Sequence, residues 1–85
     1  MNGDTVLFDV SEVNEKLIKD TLNSAIIALE EKGYNPINQI VGYILSGDPT
    51  YITSYKNARS KIMKVERDEL VEEMLTEYIR SNHWQ

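Results

Sequence analysis

The segment between Asp9 and Gly33 constrains this chain most, because its apolar residues fall on two faces of one helix. Ile18, Leu22, Ala25, Ile26 and Leu29 recur at helical spacing and form one face. Val13, Leu17, Ile27 and Ala28 form a second, on the far side. Charges gather on a stripe with Glu12, Lys16, Lys19 and Glu30. A helix that packs on one side needs one apolar face. Two faces ask for cover on most sides, and 85 residues have little material to supply it. A domain of this size buries only about 60–65% of the surface its unfolded chain exposes. There is no cysteine for a disulfide, and the single histidine, His83, cannot build a structural zinc site alone. Small chains without such staples gain stability by association. The expectation is therefore a homodimer, with Leu22, Ile26, Ile37, Ile40, Val41 and Ile44 shared between its core and its interface.

Local signals divide the rest. Residues 1–8 read as a flexible arm, because Gly3 and Asp4 argue against regular structure. Asp9 and Glu12 have capping-box spacing, with Phe8 and Val13 flanking as a staple. The helix they open should run to about Lys32, where Gly33 supplies a left-handed cap. Asn35 and Pro36 suit the cap and first residue of a second helix, whose stripe is Ile37, Ile40, Val41 and Ile44. Gly42 inside it costs about 1 kcal/mol against alanine, which a close helix crossing would explain. Gly47 should end that helix, and Asp48-Pro49 should start a short one through about Thr53. Another short helix is expected over Asn57 to Met63. The last should span about Val65 to Arg80, with Leu70, Val71, Met74, Leu75, Tyr78 and Ile79 on one face. Glu69, Glu72, Glu73 and Glu77 then make a solvated acidic face. No segment alternates with a period of two. The fold class is all-α: one domain over 9–80, a small compact bundle of about five helices, two long and three short, with 81–85 as a frayed tail.

The composition excludes several functions. Fourteen acidic against nine basic residues give a net charge of −5, which repels nucleic acid and anionic membranes unless the cations cluster. The longest uncharged run, Gly33 to Gly47, is 15 residues, too short and too polar to span a bilayer. The start of the chain has neither a basic stretch nor a long apolar one, so no signal peptide is read there. A cytoplasmic, non-enzymatic protein is the expectation. Cysteine nucleophiles are absent, and a serine or threonine nucleophile lacks a well-held base, since His83 sits near the end. Glu69 and Glu73 share a face without the Glu-x-x-His pattern of a carboxylate metal site. No phosphate-binding loop is present, because the glycine spacing is wrong. Neither metal nor cofactor is expected.

One cluster opposes the overall charge. Lys56, Arg59, Lys61, Lys64 and Arg67 place five basic residues in twelve, with Glu66 the single acid among them. They are either a solvated surface or a docking patch for an acidic or phosphorylated partner. Arg59 and Arg67 suit phosphate best, because the guanidinium fork binds it in two places. Thr5 on the arm is a hydroxyl that a kinase can reach, and phosphorylation there adds about −1.5 to −2 charge just ahead of the first helix. A helix-turn-helix outline over 36–46, Gly47-Asp48-Pro49 and the next short helix offers an alternative, a nucleic-acid-binding regulator. Against it, the second helix carries no basic residue.

The block from Glu30 to Pro49, EEKGYNPINQIVGYILSGDP, resembles the signature of the IreB family of bacterial regulatory phosphoproteins. Asn57-Ala58-Arg59, Glu66-Arg67-Asp68-Glu69, and Asp4-Thr5 followed by Phe8-Asp9 match that family too, so the resemblance covers nearly the whole chain. It implies a small helical homodimer of low-GC Gram-positive bacteria. It also implies phosphorylation by a membrane-bound PASTA-domain Ser/Thr kinase and reversal by a cognate phosphatase. The implied role is cell-envelope homeostasis and antibiotic resistance, through Clp-dependent degradation of an enzyme committing precursor to peptidoglycan. A Clp protease adaptor or that client enzyme is the implied partner, with no nucleic acid and no membrane insertion. Thr5 occupies the position of the family's phosphorylated threonine, and Asn2 stands where some members have a second one. Arg59 and Arg67 match arginines of the family's basic surface, whereas Thr53-Ser54 and Met63 depart from it.

Overall fold

The computed structural model describes residues 10–83. They form four α-helices, α1 (Val10–Glu31), α2 (Pro36–Ser46), α3 (Ala58–Ile62) and α4 (Arg67–Ser81), with 3-10 turns at Pro49–Tyr51 and Tyr55–Asn57. No strand occurs among the described residues, and the all-α expectation holds. The 1–8 arm with the staple residue Phe8, the cap Asp9, and Trp84 and Gln85 lie outside the described residues.

Cap chemistry fixes the helix ends. α1 stops in a Schellman motif: Gly33, at φ +84°, donates to the Glu30 carbonyl at 3.0 Å, and Tyr34 to that of Leu29 at 2.9 Å. Asn35 caps α2 by accepting from the Asn38 amide at 3.1 Å, with Pro36 as the first helical residue. Gly47, at φ +75°, closes α2 through a 2.7 Å bond to the Tyr43 carbonyl.

Two expected short elements are smaller than the sequence suggests. The helix expected from Asp48 to Thr53 is a single 3-10 turn. Asp48 Oδ1 accepts from both the amide and the hydroxyl of Thr50, at 3.0 and 2.7 Å, and Ile52 is already extended. α3 starts at Ala58 because Lys56 and Asn57 are left-handed, at φ 55° and 63°, a conformation that ends regular helix. α4 starts two residues later than expected. Val65 is buried as part of the core, and Glu66 is extended with its amide donating to Glu69 Oε1 at 3.1 Å. Ser81 extends α4, while Asn82 and His83, read as tail, bond to the carbonyls of its last turn.

α1 is the central element, and α2, α3 and α4 all pack against it. Its inward face is Ile18, Leu22, Ala25 and Leu29, joined by Ala28 from the edge of the second face. Ile40, Tyr43, Ile52, Ala58, Ile62, Val65 and Leu70 complete the core. Val13, Leu17 and Ile27 remain at least half exposed in the single chain. Gly42 is explained by a close approach, but not by a helix crossing: a Cβ there would stand 2.5 Å from the Tyr51 ring.

The outer helices turn only an edge of their apolar faces inward. α2 buries Ile40 and Tyr43 and leaves Ile37, Val41 and Leu45 outside. α4 fully buries Leu70, whereas Met74, Leu75, Tyr78 and Ile79 are exposed. At ~100° per residue, the buried edge of α4 sits about a quarter turn from the centre of its apolar face. That rotation carries Glu73 inward, to 6% exposure, so the acidic face is not solvated throughout.

Candidate functional site

The five basic residues of the 56–67 segment meet different neighbours. Lys56 pairs with Glu31 at 2.9 Å and stands over the Tyr55 ring. Its ammonium is held above the usual lysine range, chiefly by that hydrogen bond. The Arg59 Nε donates to the Ile52 carbonyl at 2.8 Å and so braces the turn ahead of α3. Arg67 Nη1 donates to the Ile44 carbonyl at 2.9 Å, tying the start of α4 to the last turn of α2. There it meets the negative end of the α2 dipole. Both arginines named as phosphate ligands thus spend at least one donor on a backbone carbonyl. Lys61 and Lys64 are exposed and border a groove against α1.

A second ionic assembly joins α1 to α4, and sequence reasoning missed it. Lys19 reaches Glu77 at 2.8 Å, Glu15 at 3.8 Å and the buried Glu73 at 3.9 Å. Arg80 flanks it, 2.8 Å from Glu77 and 3.7 Å from Glu15. Burial pushes the Glu73 carboxyl above the usual glutamate range, and its Oε2 has no hydrogen-bond partner. The hydrogen bond from Lys19 holds the Glu77 carboxyl below that range. Glu15, Glu73 and Glu77 bring carboxylate oxygens within 4.8 Å of one another, a spacing that a metal ion could bridge. The Lys19 ammonium already supplies the positive charge among them. The available signal was position: Glu73 is three residues after Leu70 and shares its stripe. On the next turn, Glu69 Oε2 accepts from Asn14 at 3.2 Å and adds another tie between these helices.

The residues expected to share core and interface divide. Leu22 and Ile40 are buried within the single chain, and Ile26 and Ile44 are half-buried against its core. Ile37 and Val41 face outward with Leu45, which is 81% exposed. This row of i, i+4, i+8 positions is an apolar surface without cover in one chain. Thr5 lies outside the described residues. No helix among the described residues is long and apolar enough to cross a membrane.

Comparison with known proteins agrees with the residues quoted above. The family model described as IreB regulatory phosphoprotein matches residues 3–80. A UPF0297 protein of Lachnoclostridium phytofermentans is 59% identical over 81 residues, covering 95% of this chain and 91% of the relative. One from Ruminiclostridium cellulolyticum is 58% identical over 81 residues, covering 95% and 92%. One from Acetivibrio thermocellus is 59% identical over 78 residues, covering 92% and 87%.

Proposed function

Starting from the fact that this chain belongs to the IreB regulatory phosphoprotein family, we propose that it is a non-enzymatic, cytoplasmic switch in cell-envelope homeostasis, set by phosphorylation of Thr5. The observation that carries this reading is the family match itself, which begins at residue 3 and so includes Thr5. A PASTA-domain Ser/Thr kinase adds the phosphoryl group and a cognate phosphatase removes it. The unphosphorylated chain holds a partner by protein–protein contact, either a Clp protease adaptor or the enzyme it degrades. Phosphorylation ends that engagement and spares the enzyme that commits precursor to peptidoglycan.

The working unit is a homodimer. Supporting this is the apolar row Ile37, Val41 and Leu45, with the exposed apolar half of α4, which a second copy would remove from water. The nucleic-acid reading gains no comparable observation. α2 carries no charged residue, and Lys56, Arg59 and Arg67 are engaged with their own chain.

Incubation with the kinase domain and ATP, followed by intact-mass and fragment analysis, tests the first step. One phosphoryl group on Thr5, absent from Thr5→Ala, is the expected result. Modification confined to other residues, or none, removes the switch.

A further inference from the structure

A groove of about 250 Å³ runs between the middle of α1 and the end of α3. Leu17, Thr21 and Ser24 form one wall, and Lys61, Lys64 and Val65 the other. Lys61 and Lys64 differ from the other described lysines. Lys16, Lys19 and Lys56 are ion-paired and Lys32 lies over the Tyr55 ring, whereas these two have no acidic or aromatic partner among the described residues. Asp20 also borders the groove, but its carboxylate is paired with Lys16 at 3.3 Å. The groove therefore presents two ammonium groups without a partner among the described residues, beside the hydroxyl residues Thr21 and Ser24, a donor set suited to a phosphoryl group.

We propose that the phosphoryl group on Thr5 docks in this groove, on Lys61 and Lys64 of its own chain. The inference rests on the reading that Thr5 is phosphorylated, and adds where the modified residue goes. Chain length permits it. α1 begins at Val10, five residues after Thr5. Five extended residues reach about 17 Å. Leu17 and Thr21 lie about 10 and 16 Å along α1 from that start. An arm folded back over α1 thus brings residue 5 level with the groove. Charge complementarity selects the modified form, because a phosphothreonine adds about −1.5 to −2 charge where threonine has none. The arm then covers Leu17 and the α1–α3 seam, so phosphorylation removes a surface a partner would otherwise meet.

The test uses the full chain with phosphothreonine installed at residue 5 during translation. That bypasses the kinase and keeps failure of kinase recognition a separate result. Phosphorus NMR across pH reads the second phosphate ionisation, which lies near ~6 when solvated. The expected result is an ionisation shifted below that value, with amide shifts over residues 17–24 and 61–65. The Lys61→Gln/Lys64→Gln pair should return the phosphate to its solvated value without changing the thermal melt, since both side chains are exposed. Lys32→Gln, which removes a lysine outside the groove and without a role toward Asp20, should leave the shift in place. A phosphate that titrates as if solvated, shifts confined to the first turn of α1, or indifference to the paired glutamines would overturn the proposal.

Discussion

Glu73 is an ionisable side chain in a position otherwise occupied by apolar ones. Its carboxyl is raised by burial, so between its unfolded and folded values the folded chain binds more protons than the unfolded chain. Stability therefore falls as pH rises through that window and returns on acidification. Glu77 acts in the opposite sense. Lys19 lowers its carboxyl, so that contribution is present above the unfolded value and lost as pH falls through the folded one. Glu73→Gln removes the first effect and keeps the second. Thermal unfolding from about pH 7 down to about pH 4 should show the variant more stable at the upper end, with the difference closing as Glu73 protonates in the parent chain. A variant less stable at neutral pH would mean that attraction to Lys19 outweighs burial. Residue identity alone gave little warning of this site. Four glutamates on one helix look like a solvated face until α1 fixes which edge turns inward.

Helix ends were legible and helix rotations were not. Asn35-Pro36, Gly33 and Gly47 act through bonds within a few residues, so their chemistry is written locally. Glu66-x-x-Glu69 was equally readable, but the apolar run from Val65 drew the expected start of α4 too early. Asn35→Ala should cost about 1 kcal/mol in chemical denaturation, and Asn35→Asp much less, because aspartate keeps the accepting oxygen. Equal losses in both would show that the Asn35 side chain does not hold the end of α2. Rotation about the axis has no comparable local code. α2 and α4 have apolar faces wider than α1 can cover, and tertiary contacts choose the edge. The neighbours of the basic segment were hidden for a similar reason. Proximity in sequence suggested one patch, and turns at Lys56-Asn57 and Val65-Glu66 send its side chains to different neighbours.

At the scale of the molecule, one chain leaves apolar surfaces open on α1, α2 and α4, and a regulatory protein has to protect or use them. Sedimentation equilibrium at tens of micromolar should give twice the chain mass. Leu45→Lys should weaken association by about 2 kcal/mol or more, near thirtyfold, with the helical spectrum retained. A chain that sediments as a monomer contradicts the dimer while leaving the phosphorylation step intact. The central claim is that one phosphoryl group at Thr5 changes what this helical unit holds. The most direct measurement is quantitative capture from host lysate on three baits: the unmodified chain, the chain phosphorylated at Thr5, and Thr5→Ala. The account predicts a partner retained equally by the unmodified and alanine baits and lost from the phosphorylated one. The same partners on all three, in the same amounts, would contradict it.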